Sequence, residues 1–272
     1  MRDEPRTIIG SSMKTLKQRL DDGDIVFGAT VCEHLRPSVV KAYVNAGFDF
    51  IFLENEHASF DPSRLADFVL CARDHGLTVV SKLGELSRAD TARLLEMGVM
   101  GIQLPRTETA DDMRTLIDYI KFPPVGSRAS ATGYGNSYYA TVDKTDWYDE
   151  MNAETFSIAH FETRPGAENA EAVMAVDGID ICFIGSSDLS LSYGIPGQYQ
   201  DPGFLETVNG ILDIAARRNI IRGIVAADYD GARYWIDKGV QYFECNNELD
   251  FIRAGAAKAV EDLHRAREAA TG

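Results

Sequence analysis

Eight short apolar runs, separated by segments of helical period, constrain this chain more than any other feature. The runs are DIVFGATV (24–31), FDFIFLE (48–54), TVVSKL (78–83), GIQLP (101–105), FSIAHFET (156–163), IDICFIG (179–185), IRGIVA (221–226) and YFECN (242–246). Most are near-continuous rather than strictly alternating, which is the pattern of strands buried on both faces. Between them, Leu65, Phe68, Val69 and Ala72 form one helical stripe, and Met113, Leu116, Ile117 and Ile120 a second. Leu205, Val208, Leu212 and Ala215 form a third; Ile252, Ala256, Ala259 and Leu263 form a fourth. Gly47, Gly76, Gly98 and Gly239 stand where helices end, and Asp61-Pro62, Ser87 and Asp201-Pro202 where they begin. The eightfold repeat predicts a closed α/β (β/α)8 TIM barrel, with an open doubly wound sheet as the second choice. No linker or shift of composition divides the 272 residues, so one barrel domain over 1–272 is expected, with an N-terminal extension and helix over 1–23.

One connection is abnormal. Residues 122–150 separate a helix from the fifth strand and carry Arg128, Gly133, Gly135 and several tyrosines. A loop of that length within a compact domain is usually functional or mobile. Its Gly-x-Gly neither follows a strand nor completes a nucleotide fingerprint.

Charge narrows the partners. Asp and Glu total 42 against 27 Lys and Arg, a net charge of −15, with no basic stripe. Such a surface repels nucleic acid and anionic membranes, so an anionic substrate needs a local cation or an Arg. The first residues lack the apolar core of a signal peptide, and no long uncharged apolar window occurs, so a cytoplasmic protein is expected. Cys32, Cys71, Cys182 and Cys245 are scattered without metal-binding spacing and read as reduced thiols.

In a β/α barrel, chemistry sits at the C-terminal ends of the strands. Here those ends carry Cys32, Glu33 and His34; Glu54, Glu56 and His57; Lys82; Gln103; His160 and Glu162; Ser186, Ser187 and Asp188; and Glu244 and Asn246. Glu162 and Asp188 end adjacent apolar strands and would repel one another without a cation, a donor set that suits Mg²⁺ or Mn²⁺. The competing reading is a pair of solvated acids capping helices. His57 has two readings as well: a surface residue, or a base oriented by Glu54 three residues earlier.

Five segments, in order, resemble the HpcH/HpaI aldolase family of class II pyruvate aldolases: GFDFIFLENEH (47–57), LLEMGVMGIQLP (94–105), FPPVGSR (122–128), FET (161–163) and IGSSDLSLSYGIPG (184–197). The resemblance spans about residues 24 to 260. It implies a phosphoenolpyruvate/pyruvate-type barrel that cleaves or joins a 2-keto acid at a carbon–carbon bond. A divalent cation on Glu162 and Asp188 would stabilise the enolate. It further implies proton transfer at His57 paired with Glu54, and a substrate carboxylate on the backbone amides of Ser186 and Ser187. Glu96 would serve a neighbouring subunit's site, in a homo-oligomer, commonly a hexamer, whose last helix is exchanged between partners.

The chain departs from that family at several points. Glu54 stands for the usual Asp, His160 for Gln, Ala129 for Gly, and Ser186-Ser187 for Pro-Ala. Lys82 replaces an Arg that meets the keto oxygen, keeping the charge but losing the planar fork. His160 thus adds an ionisable group beside the metal site, as a substrate contact or even a ligand. Arg128 is either a carboxylate anchor or a structural tie for its loop, and Tyr134, Tyr138 and Tyr139 are expected to wall an aldehyde pocket. Three further activities stay open: decarboxylation of an oxaloacetate-type acid, a Schiff-base aldolase using Lys82, and a barrel that binds a keto acid without turnover.

Overall fold

Along a barrel strand, alternate side chains point into the barrel and out toward the helices. The structure, a computed structural model, describes residues 14–271, and the rest of the 1–23 extension lies outside the described residues. All eight expected runs are strands: β1 Val26–Val31, β2 Phe50–Leu53, β3 Thr78–Lys82, β4 Gly101–Leu104, β5 Phe156–Phe161, β6 Ile181–Ile184, β7 Ile221–Val225 and β8 Tyr242–Asn247. Neighbours pair in parallel in chain order, and β8 pairs with β1. The sheet is a closed (β/α)8 barrel, which removes the open doubly wound alternative. Among the described residues no helix is long and apolar enough to cross a membrane.

Outward residues such as Ile51, Leu53, Val79, Ile102, Ala159 and Cys182 pack against the helical stripes in one apolar cluster. The stripes of the helices Pro62–Asp74 and Ala110–Ile120 are buried as the spacing predicts. In the helix Pro202–Arg217, Phe204 is fully buried and Leu205 only half. Asp61, Ser87 and Asp201 cap their helices as expected, each accepting a backbone N–H.

Inward residues form a second cluster. Val26, Phe50, Phe52, Val80, Phe156, Ile158, Ile181, Phe183 and Tyr242 fill the lower barrel, closed at its base by Leu16 and Leu20 of the helix Leu16–Asp21. Phe50 stacks on Tyr242 with centroids 4.6 Å apart, in space that a Cβ on Gly28 would invade. Each buried ring contributes about 1.5–3 kcal/mol. The same parity then turns polar toward the strand ends: Val80 is followed two residues on by Lys82, Gly101 by Gln103, Ile158 by His160 and Tyr242 by Glu244. The barrel is an apolar plug with a polar top.

One expectation is corrected. The connection over 122–150 is not a loop throughout: it holds a 3-10 turn, Gly135–Ser137, and from residue 144 the helix Lys144–Glu154. Arg73 pins it by donating to the carbonyls of Gly135 and Asn136 and by lying 4.1 Å over the Tyr138 ring. The C-terminal helix Glu248–Thr271 does not bury its stripe within this chain. Ile252 and Leu263 are 58% and 69% exposed, and Ala256 and Ala259 are exposed too.

Candidate active site

β3 delivers Lys82 into the polar top, where the residue is only 4% exposed. A bare ammonium there would be costly. Its Nζ lies 2.9 Å from Glu54 Oε2 and 2.7 Å from Glu56 Oε2. Burial alone would lower its pKa, but the charges and hydrogen bonds of Glu54 and Glu56 outweigh that and raise it above the usual lysine value. Lys82 is therefore a fixed cation.

The turn after β2 shows how that cage forms. Glu54 Oε1 accepts the backbone N–H of Glu56 at 3.1 Å and of His57 at 3.4 Å, while its other oxygen holds Lys82. This geometry replaces the expected Glu54–His57 side-chain pair. The carboxylate facing the imidazole is Glu56, with Oε2 3.6 Å from Nε2, and the His57 side chain is 69% exposed. Glu54, Glu56 and His57 also bring three ligand atoms within 4.8 Å of one another, a spacing that could hold a metal. Lys82 already holds one oxygen of each of these two carboxylates.

β5 carries the second half of the site. Glu162 is 4% exposed, and its Oε1 accepts the Arg106 backbone N–H at 2.7 Å. Arg106 holds that amide in place with a left-handed φ of 48°, a strained conformation for a long side chain. Burial pushes the Glu162 carboxyl up to about 7; the Arg106 amide and Lys82 pull it down, and Glu56 and Asp188 push it up further. Asp188 stands nearby on the first turn of the helix Ser186–Ser192, exposed, with no hydrogen bond or ion pair among the described residues. A buried carboxylate destabilised in its charged form beside a second, unpaired carboxylate is a donor set that fits a hard divalent ion. Gly185 keeps the space open: a Cβ there would collide with His160 Nε2 and crowd Glu162.

His160 itself is buried. Its Nδ1 lies 3.2 Å from Gln103 Nε2, and its Nε2 lies 3.3 Å from Glu162 Oε2. Burial, with the Lys82 charge adding to it, drives its pKa well below the ordinary value. On β8, burial raises the Glu244 carboxyl well above the usual range, and Tyr242 donates to its Oε1 at 3.2 Å.

Ser186 and Ser187 open their helix after Gly185, which makes no side-chain cap, so the first amides stay free of capping partners. Ser187 Oγ is 3.1 Å from the Tyr199 hydroxyl. The end of β1 serves anchoring: buried Glu248 accepts the backbone N–H groups of Cys32, Glu33 and His34. The Cys32 thiol is pushed up to about 11 by burial and the Glu248 charge, so it is no nucleophile at neutral pH.

Glu96 and Arg128 do not join this cluster. Glu96 is the penultimate residue of the helix Arg88–Met97, whose C-terminus leads into the base of β4. Arg128 is buried over the Phe122 ring at 4.5 Å, its pKa lowered to about 10 by burial and pulled back up by Glu96. Tyr134 and Tyr139 are exposed on the same segment. Glu56, Gln103 and Glu244 were legible as strand-end polar residues but not as partners. Inward parity is the signal for the last two, and nothing in the spacing ENEH says which carboxylate turns toward the ring.

Comparison with known proteins agrees with the barrel. The model of the HpcH/HpaI aldolase/citrate lyase family matches residues 33–251. A hydroxypyruvate/pyruvate aldolase of Roseobacter denitrificans is 28% identical over 236 residues, covering 82% of this chain and 89% of that protein. A 5-keto-4-deoxy-D-glucarate aldolase of Salmonella arizonae is 26% identical over 220 residues, covering 81% and 85%. Among solved structures, an HpcH/HpaI aldolase from Desulfitobacterium hafniense superposes with a TM-score of 0.87 at 27% identity, covering 92% of this chain and 97% of that one. The chain belongs to the HpcH/HpaI aldolase/citrate lyase family.

Proposed function

We propose that this aldolase-type carbon–carbon lyase cleaves a 4-hydroxy-2-keto acid to pyruvate, or a close relative, and an aldehyde, using a divalent cation on Glu162 and Asp188. The observation that carries the reading is the buried Glu162 carboxylate beside the unpaired Asp188, at the mouth of a barrel whose other cation, Lys82, is already committed. When bound, Mg²⁺ or Mn²⁺ supplies Lewis acidity at the keto oxygen as the carbon–carbon bond breaks. The names of the two aldolase relatives support a pyruvate-type donor.

The chain's own residues divide the remaining work. The free amides of Ser186 and Ser187 suit the substrate carboxylate, since first-turn N–H groups favour an anion. His57, exposed at the rim, takes the proton from the 4-hydroxyl; the C3–C4 electron pair becomes a C2–C3 double bond as the C2–O pair moves onto the keto oxygen. C4 leaves as the aldehyde, and return of the proton to C3 with re-formation of the keto group gives pyruvate. Glu56 faces the ring, with Oε2 3.6 Å from Nε2, and so orients it. Lys82 adds a fixed positive charge below the site, where negative charge develops. Glu96 and Arg128, which lie near enough to interact, would complete a neighbour's site in a homo-oligomer, with a hexamer favoured. The long segment's tyrosines then line the aldehyde's side.

Exchange of pyruvate methyl protons in D₂O tests the reading without knowledge of the aldehyde. Exchange that needs Mg²⁺ or Mn²⁺, stops with chelator and is lost in Glu162→Gln is the expected outcome. Exchange that survives chelation decides against it, and absence of exchange with metal bound favours a binding-only barrel.

A further inference from the structure

We infer that the aldehyde half of the substrate is uncharged and apolar, and that Val225 at the end of β7 sets that specificity; the inference rests on the proposed aldol reaction. Strand parity places the residue. On β7, Ile221 packs with the inward cluster, and a Cβ on Gly223 would meet the inward rings of Phe183 and Tyr242. Ile224 lies in the outward cluster. Val225 therefore continues the inward row, and it pairs with Glu244 of β8. It stands two residues above Gly223, as Glu244 stands above Tyr242, Gln103 above Gly101 and His160 above Ile158. Lys82, Gln103, His160 and Glu244 are each at most 5% exposed, whereas Val225 is 47% exposed. An open apolar side chain thus interrupts a layer that is otherwise sealed and polar. On the β6 side its neighbour is Gly185, one residue past the Ile184–Ile224 pair, which has no side chain to cover it.

Charge around Val225 decides the class of aldehyde. The segments that follow β6, β7 and β8 (185–199, 226–232 and 248–252) contain no Lys or Arg, whereas Asp188, Asp228 and Asp230 lie in the first two. A carboxylate or phosphate on the aldehyde would enter this side of the mouth without a partner, and an unpaired anion removed from water is costly. An alkyl or aryl group leaves water favourably against Val225. The flanking segments also expose Leu191, Tyr199 and Tyr229. Tyr199 reaches the start of the helix Ser186–Ser192, its hydroxyl 3.1 Å from Ser187 Oγ, and so offers an apolar wall with a polar tip. Cations at other strand ends are engaged: Lys82 by Glu54 and Glu56, Arg106 by Glu108 at 3.4 Å, and Arg164 over the Tyr193 ring at 4.5 Å. The Glu96–Arg128 pair that an assembled neighbour would bring carries one charge of each sign.

Aldol addition of pyruvate to two aldehydes of nearly equal size, with Mn²⁺ and the full-length protein, tests the inference. 4-Methylpentanal ends in an isopropyl group; succinic semialdehyde ends in a carboxylate of the same shape. Wild-type kcat/KM should favour 4-methylpentanal by about tenfold or more. Val225→Thr keeps the shape and adds a hydroxyl, so it should raise KM for 4-methylpentanal and shrink that ratio. Val225→Lys supplies the missing cation and should turn the ratio toward succinic semialdehyde; if that variant does not fold, the Val225→Thr ratio decides. A wild-type preference for succinic semialdehyde, or a ratio that substitution at Val225 leaves unchanged, overturns the inference. Exchange of pyruvate methyl protons in D₂O, measured on the same wild-type sample, keeps the two readings apart. Exchange without an apolar preference removes the specificity alone, and absence of exchange removes the aldol reading and the specificity with it.

Discussion

Lys82 decides which chemistry this barrel can run. A Schiff-base lysine must be neutral to attack a carbonyl, and neutral lysines arise where burial or a second cation lowers the pKa. Lys82 is buried, yet two carboxylates at 2.9 and 2.7 Å raise it instead. Borohydride with pyruvate should therefore leave the wild-type mass unchanged at Lys82; a trapped adduct there would revive the metal-free mechanism. Lys82→Met should cost about 3 kcal/mol, because it strands Glu54 and Glu56 together, and a fall in the urea midpoint with unchanged slope is the readout. Glu244 gives a pH signature of opposite origin. Its carboxyl is held well above the usual value by burial, so the folded state keeps a proton that the unfolded state loses near its ordinary pKa of 4.5. Stability from this group is full below that pH and is lost as pH rises toward the folded pKa, by up to about 1.4 kcal/mol per unit. Glu244→Gln removes that slope, so its urea midpoint should exceed the wild type's by more at about pH 8 than at about pH 5. Sequence brought Glu162, Asp188, His57 and Lys82 into view as single residues. It did not give the partner of the His57 ring, because within a turn the direction of each side chain depends on backbone angles that ENEH does not encode.

At the scale of elements, periodicity made the barrel legible before any motif was used. Each run became a strand, and inward parity explains why Lys82, Gln103, His160 and Glu244 share one layer above Val80, Ile158 and Tyr242. What periodicity could not show is the helix Lys144–Glu154. Its apolar residues are sparse, and its buried Trp147 and Met151 pack on Phe122 rather than on a barrel strand. Gly185, between β6 and the helix Ser186–Ser192, is where element geometry meets the site. A methyl group there runs into His160 and Glu162 together, neither of which has room to withdraw. Gly185→Ala should cost about 1–3 kcal/mol by overpacking and weaken Mn²⁺ binding about tenfold through a displaced Glu162. Gly210→Ala is the contrasting variant: it lies in the helix Pro202–Arg217 with open space around the added carbon. It should gain about 0.5–1 kcal/mol from helix propensity alone and leave metal binding unmoved.

At the scale of the whole molecule, three features point outward from one chain. The C-terminal helix exposes Phe251, Ile252, Val260 and Leu263 along its length. An amphipathic stripe of that extent signals an interaction surface rather than a solvated face. The stripe was legible in sequence as a helical period, but period reports that a face will be buried, not by which chain. Glu96, in the helix Arg88–Met97, interacts with Arg128 on the segment that carries the exposed tyrosines. If each site takes Glu162 from one subunit and Glu96 from the next, the two variants Glu162→Gln and Glu96→Gln should each be inactive alone. Dissociated and reassembled together, they should regain activity, because mixed oligomers pair an intact Glu162 with an intact Glu96 at about a quarter of the sites. Mn²⁺ binding should be lost in Glu162→Gln and kept in Glu96→Gln, which separates ligation from assembly. Light scattering should give a multimer for the wild type, and Ile252→Glu with Leu263→Glu should shift it toward the single chain and abolish turnover while the barrel stays folded. Activity retained by the dispersed chain would place every essential residue within one subunit and leave the exposed stripe to serve some other contact.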